Sequence, residues 1–336
     1  MKRRLGGLIT AAGNVYTAAL LGFLVLQRTP LGGAWPVRLV ANFLPYLFLP
    51  LLLLVPLILI SKSRVGMIVI SLPCVIFFLL YGHLFLPHAT NVSGESENTL
   101  TVMTYNVTRG DPGVEEILSI IETEDADVVA LQEVSPKVGE ALYSLADRYP
   151  YMAVHPTPDG YAGCAVLSRF PLANDEVYPL VEGTHLSQRV VLDPGGESIH
   201  LFSVHLQPPQ LAVRRGGSRF LVPAGYDTTT QDQEMARLLE ELDALEGKVV
   251  VVGDFNMTDQ ATGYLELTRV LRDAHREAGW GFGHTFPDGE ALFVATPFPL
   301  MRIDYVFHSP DLTARRSYVG ERGGPNHRFL VAELSS

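Results

Sequence analysis

Acidic residues are missing from the first ninety positions of this 336-residue chain, which hold seven basic residues (Lys2, Arg3, Arg4, Arg28, Arg38, Lys62 and Arg64) and no Asp or Glu. Cysteine is nearly absent too. Cys74 and Cys164 are the only two, which excludes a disulfide framework and a clustered Cys/His zinc site. Charged residues make up 18%, against about 25% in an ordinary soluble protein, and the mean hydropathy is slightly positive at +0.19. There is no internal repeat, heptad pattern or low-complexity tract. All 36 acids and the other 18 of the 25 basic residues lie beyond residue 90, so 91–336 carries a formal charge of −18. A protein that binds the phosphate backbone presents a basic stripe, and this acidity disfavours nucleic acid as a partner.

What the first ninety residues do contain is three apolar runs of 22 residues each, 5–26, 39–60 and 65–86. As helices these would be about 33 Å long, enough for a hydrocarbon core of about 30 Å. Pro45, Pro50 and Pro56 would disrupt a soluble helix but are better tolerated in a membrane span. A cleaved signal peptide does not account for two further spans. The expectation is a multi-pass membrane region over 1–90, a polar linker over 91–98, and one domain over 99–336. Five basic residues (Lys2, Arg3, Arg4, Lys62, Arg64) flank one side of the spans and two (Arg28, Arg38) the other. That asymmetry predicts a cytoplasmic amino terminus and an extracytoplasmic domain at the plasma membrane.

Beyond the linker, β-rich runs at 100–107, 127–134, 163–168, 198–206, 248–253, 302–307 and 329–333 alternate irregularly with helical patterns at 114–122, 138–146 and 231–245. This mixture predicts a layered α/β domain with both parallel and antiparallel pairing. Polar residues recur at the strand ends: Asn106, Glu133, His205, Asp254 with Asn256, Asp304, and Asn326 with His327. A carboxylate in a strand interior is costly unless paired or metal-bound. Six strands that each supply such a group predict one polar cluster at one edge, rich in oxygen ligands that suit Mg²⁺ or Mn²⁺. The segment 207–231 adds Arg214, Arg215 and Arg219 among apolar residues, a basic insertion suited to anionic head groups.

In order along the chain, Thr104-Tyr105-Asn106-Val107, Leu131-Gln132-Glu133-Val134, Leu167-Ser168-Arg169-Phe170-Pro171, Val204-His205-Leu206, Gly253-Asp254-Phe255-Asn256, Arg302-Ile303-Asp304-Tyr305 and Asn326-His327-Arg328 resemble the motifs of the endonuclease/exonuclease/phosphatase (deoxyribonuclease I-like) superfamily. The resemblance spans about 100–334 and implies a four-layer α/β sandwich, here preceded by three transmembrane helices. It implies Mg²⁺-dependent hydrolysis of phosphate esters, with Glu133 as the main metal ligand and Asn106 assisting. By the same resemblance Asp254 takes a proton from the attacking water, Asn256 and His205 hold phosphate oxygens, and Asp304 orients His327 on the scissile phosphate. Where the family has Ser-Asp-His, this chain has Pro325-Asn326-His327, so Asn326 offers a metal only a carbonyl oxygen. The superfamily includes nucleases, inositol-phosphate phosphatases and sphingomyelinases, which leaves the substrate open. Acidity and tethering favour a lipid-linked or small phosphate ester at the bilayer. The alternatives are an extracytoplasmic nuclease and a catalytically inactive binding module.

Overall fold

The structure is a computed structural model that describes residues 2–86, 99–216, 220–291, 294–296, 298–321 and 326–336; the expected linker 91–98 lies outside these. The chain divides into two compact units, Met1–Leu86 with Gln210–Asp227, and Pro87–Pro209 with Thr228–Ser336.

In the first unit, Gly6–Leu26, Leu44–Ser61 and Arg64–Phe85 are helical stretches long and apolar enough to cross a membrane. Their apolar side chains point outward: Leu52 is 76% exposed, Ile60 77%, Ile68 73% and Leu79 76%. Such a surface is unfavourable in water and suits acyl chains. Where the helices meet, small residues let the backbones approach. A Cβ on Gly13 would lie 2.9 Å from Ile58 Cδ1, and Thr10 Oγ1 donates to Ser63 Oγ at 2.8 Å. The second span is shorter than the apolar run 39–60 suggests. Trp35–Ala41 is a separate helix, and the span begins with a 3₁₀ turn, Leu44–Phe48, that leads into Pro50–Ser61. The cause is local: Pro45 and Pro50 each sit in the first turn of their element, where the missing N–H costs least. Asn42 Nδ2 also donates to the Arg38 carbonyl at 3.2 Å, closing the preceding helix.

The sequence places 210–227 inside the domain that starts at 99, but in the structure this segment groups with the first unit. It is an antiparallel hairpin of Gln210–Gly216 and Phe220–Asp227, with a bulge where Val213 pairs with Pro223. Tyr226 Oη accepts a hydrogen bond from Asn42 Nδ2 at 2.9 Å.

The second unit stacks two six-stranded sheets. One runs, in spatial order, Thr313–Val319, Leu330–Ser335, Thr99–Asn106, Val128–Gln132, Cys164–Ser168, Tyr151–His155. The other runs Arg272–Asp273, Asp304–His308, Lys248–Asp254, Ile199–His205, Leu186–Leu192, Leu172–Pro179. Strand alternation explains the layering. Val102, Val128, Ala130, Val250, Val252 and Val306 fill the space between the sheets. Their neighbours Met103, Tyr105 and Val129 face the opposite way, onto Ile117, Ile120 and Ile121 of the helix Val114–Glu124. Val249, Val251 and Phe307 do the same toward Met235 and Leu238 of the helix Thr229–Asp243. The result is the expected four-layer sandwich of helix, sheet, sheet and helix. Burying a valine or leucine contributes about 1.5–3 kcal/mol each, and these three clusters hold the unit together.

Candidate active site

One pair of strands in each sheet is parallel, Thr99–Asn106 with Val128–Gln132 and Ile199–His205 with Lys248–Asp254. Parallel neighbours finish at the same end, so Asn106, Gln132, His205 and Asp254 are all last residues of their strands. The strand Asp304–His308 is antiparallel to its neighbour and begins where the others stop, and the register sets Asp254 opposite Asp304 on one side and His205 on the other. Arg302 holds this entry point: it is buried and donates to both oxygens of Asp273, at 3.0 and 2.6 Å. The sheets are stitched together at this end, where Asn106 Nδ2 donates to Asp254 Oδ2 at 3.0 Å and to Glu133 Oε1 at 3.2 Å.

Two of the site residues named from the sequence occupy the left-handed backbone region, Glu133 at φ 57° and Asn256 at φ 50°. Asn tolerates this through a local turn, here its own N–H donating to Asp254 Oδ1 at 2.9 Å. Glutamate does not, and the conformation costs about 1–2 kcal/mol. Such strain persists only where the surrounding structure over-determines the conformation. Gly253, at φ 138°, is required by a close approach: a Cβ there would lie 1.9 Å from the Val204 carbonyl oxygen, inside the strand pair that carries His205 and Asp254.

Three buried or nearly buried carboxylates, Glu133, Asp254 and Asp304, meet two imidazoles. His327 Nδ1 lies 3.1 Å from Asp304 Oδ2, and its Nε2 lies 3.7 Å from Asp254 Oδ2. Burial works against the His327 cation, but the carboxylates of Asp304 and Asp254 outweigh it and raise its pKa to about 9. His205 Nε2 is 3.6 Å from Asp254 Oδ2 and 3.9 Å from Glu133 Oε1. Burial and the neighbouring His185 and His327 push His205 well below the usual histidine range, so it is neutral. Burial, with Asp304 adding to it, raises Asp254 to about 7 against the pull of His327 and two hydrogen bonds. Burial also raises Glu133, opposed by the Asn106 hydrogen bond, His327 and Arg109. Asp254, Asp304 and His327 each bring a ligand atom within 4.8 Å of the others, a spacing that could hold a metal ion.

A sequence model of the endonuclease/exonuclease/phosphatase family matches residues 91–333. The chain belongs to the endonuclease/exonuclease/phosphatase family. Members of this family are phosphoric ester hydrolases. Among curated proteins, an uncharacterized protein of Escherichia coli K12, YbhP, is 27% identical and covers 61% of this chain and 83% of its own length. Among solved structures, TDP2 of D. rerio, complexed with a single-strand DNA product, superposes with a TM-score of 0.55 at 15% identity, over 71% of this chain and all of that one (100%). A mannosyl-6-phosphatase of Bacteroides thetaiotaomicron has a TM-score of 0.50 at 18% identity, over 70% of this chain and 100% of that one. These structural likenesses establish the family fold. One of the two proteins is seen with a DNA product and the other is a sugar phosphatase, so the fold alone does not select a substrate.

The family motifs in this chain divide into two groups. Asn106, Glu133, His205, Asp254, Asn256, Asp304 and His327 are gathered at the one sheet end. Asn326 is fixed by its backbone, whose carbonyl accepts from the Asp288 N–H at 2.9 Å, and Pro325 before it lies outside the described residues. Ser168-Arg169 is structural, with Arg169 paired to Asp127 at 3.1 Å and to Asp125. Two residues at the site carry no sequence signal. The His185 ring stacks on His205 with centroids 3.9 Å apart, and Arg109 Nε lies 3.9 Å from Glu133 Oε2. His185 comes from a loop and Arg109 from the 3₁₀ turn Thr108–Gly110, and only the folded chain brings them to the strand ends.

Proposed function

We propose that this chain is a membrane-anchored, divalent-cation-dependent phosphoesterase that acts outside the cytoplasm on a lipid-linked or small phosphate ester. The observation that carries the reading is the meeting of the seven polar side chains at one end of the sandwich, within a family of phosphoric ester hydrolases. The donor set fits a hard cation. Three carboxylates face one imidazolium and one part-exposed guanidinium, and Asp304 Oδ1 is buried without a hydrogen-bond partner among the described residues. Glu133, with Asn106 and Asn326 assisting, would hold Mg²⁺ or Mn²⁺, and the ion would supply positive charge where the phosphoryl oxygens become more negative. Asn106 Oδ1 already accepts from the Thr108 N–H at 2.9 Å, which leaves it one lone pair for this purpose.

The chain's own groups account for the proton movements. Asp254 Oδ2 accepts the proton of the attacking water as the water oxygen bonds to phosphorus, with Asn106 Nδ2 holding the carboxylate in place. The ester P–O bond breaks, and the departing oxygen takes a proton from solvent. His327 Nε2 presents a proton to the phosphate while Asp304 steadies Nδ1, the arrangement that fixes a histidine's orientation and supports its charged form. Neutral His205 hydrogen-bonds a phosphate oxygen without adding charge. Asn256 Nδ2 gives one N–H to the Leu206 carbonyl at 2.8 Å, and its second, 3.4 Å from Asp254 Oδ2, turns onto a phosphate oxygen.

If Asn326 reaches the metal, Asn326→Asp restores a charge that the family has there. A lower Mg²⁺ concentration should then give half-maximal rate, and an unchanged titration places Asn326 outside the metal shell. The five-to-two basic asymmetry around the spans supports the extracytoplasmic site, with the protein multi-pass in the plasma membrane. A reporter fused after Ser336 should accordingly score as extracytoplasmic; a cytoplasmic signal overturns the topology and leaves the chemistry standing.

The acidity of 91–336 and its attachment to the bilayer support a lipid-phase substrate over DNA. The experiment is a hydrolysis screen of the full-length chain in bilayers against phospholipids, prenyl diphosphates, inositol phosphates and duplex DNA at physiological salt. Turnover of a lipid or small phosphate ester with poor DNA cleavage is expected. Efficient DNA cleavage with no other turnover replaces this reading by a nuclease. Failure on every ester replaces it by a binding module.

A further inference from the structure

The hairpin Gln210–Asp227 has an unusual position in the chain. The polypeptide leaves the catalytic unit after Pro209, builds a two-stranded ribbon that packs with the membrane-anchor unit, and returns at Thr228. Both roots are fixed to the loop that bears Asn256. Gln231 Nε2 donates to the carbonyls of Gln207 at 3.0 Å, Phe255 at 3.2 Å and Asn256 at 3.0 Å, and the Gln207 N–H donates to Glu234 Oε2 at 2.8 Å. An isolated two-stranded hairpin is marginal in water, so this one needs a surface. Part of that surface is the helix Trp35–Ala41, reached through the hydrogen bond from Asn42 to Tyr226.

Several of the ribbon's described side chains are uncovered. Leu211 is 42% exposed, Val213 50% and Val222 39%, and Arg214 and Arg215 toward the tip are exposed as well. In a domain of formal charge −18, this segment holds three arginines and a single acid, Asp227. Arg219 lies outside the described residues. The neighbouring helix repeats the pattern with Trp35 and Arg38 and no acid. Apolar side chains with arginines at their edge and an aromatic nearby match a membrane–water interface, where arginine stems lie along apolar surface and the heads reach phosphate. The charged heads of Arg214 and Arg215 are excluded from hydrocarbon, which sets the depth at the headgroups.

We propose that the paired strands Gln210–Gly216 and Phe220–Asp227 dock on anionic lipid headgroups beside the protein's own anchor. The proposal rests on the membrane-anchored reading and is tested without any measurement of hydrolysis. Val213→Trp is placed in a Trp35→Phe, Trp280→Phe background, and the full chain is reconstituted in phosphatidylcholine with or without phosphatidylglycerol. The bilayers carry quenchers at shallow or deep acyl positions. With phosphatidylglycerol, emission from the indole introduced at position 213 should shift to the blue, and shallow quenchers should act at least about two-fold more strongly than deep ones. Arg214→Glu with Arg215→Glu should abolish the dependence on phosphatidylglycerol, since each arginine near the surface is worth about five-fold in the docked population. Leu52→Trp in the same background reports the anchor. Deep quenching at position 52 with a water-like, unquenched signal at position 213 overturns the docking and leaves the anchor in place. Absence of quenching at both positions overturns the docking together with the membrane reading.

Discussion

Glu133→Gln is expected to lower turnover about a thousand-fold while the far-ultraviolet circular dichroism stays that of the wild type. The substitution preserves size and the hydrogen bond that Glu133 Oε1 accepts from Asn106 at 3.2 Å. It removes the charge of a carboxylate that accepts from one amide and has the Arg109 guanidinium and the His205 imidazole each 3.9 Å away. Burial already raises Glu133, so its charge is disfavoured in the absence of a cation. A folded protein is expected for that reason: neutralising a buried carboxylate removes a desolvation cost and does not leave an orphaned charge. Turnover near the wild-type value in this variant would show that the cation is held elsewhere, and the trio Asp254, Asp304 and His327 would become the candidate ligands.

The second large effect is on the pH profile. Asp254 must be ionised to accept a proton, and its pKa is raised to about 7, so kcat/KM should fall as the pH drops through that value. His327 must carry its proton, and its pKa is raised to about 9, so kcat/KM should fall again as the pH rises through about 9. The plateau between these limbs is the window in which the base is charged and the imidazolium intact. His327→Asn should cost about a hundred- to ten-thousand-fold and remove the alkaline limb. A variant that loses rate but keeps the alkaline limb assigns that limb to another group.

The core strands and the site are far more legible in the sequence than the edges and loops. The run 248–253 and the strand Lys248–Asp254 agree to one residue because four consecutive valines, buried on both faces, leave no alternative to a central strand. The sheet edges carry no such signal. Leu172–Pro179 reads LANDEVYP and is largely exposed, and Thr313–Val319 holds Arg315 and Arg316; charge on an edge strand blocks further pairing and also erases the apolar pattern. The polar strand ends of the site stand out because each breaks an apolar run. His185 does not, since its place against His205 comes from a loop closing over the sheet end. The hairpin is visible as a basic insertion, but its partner, a helix whose capping Asn42 lies 184 positions before Tyr226, is set by tertiary packing alone.

Dependence on a divalent cation tests the central claim most directly. The purified full-length chain is stripped with a chelator, and hydrolysis of a chromogenic phosphodiester and a phosphomonoester is followed as Mg²⁺ or Mn²⁺ is returned. Three carboxylates around one imidazolium predict no turnover in chelator and full recovery with either ion. Undiminished turnover in chelator, or none at any cation concentration, would contradict the assignment of this sheet end as a cation-dependent phosphoesterase site.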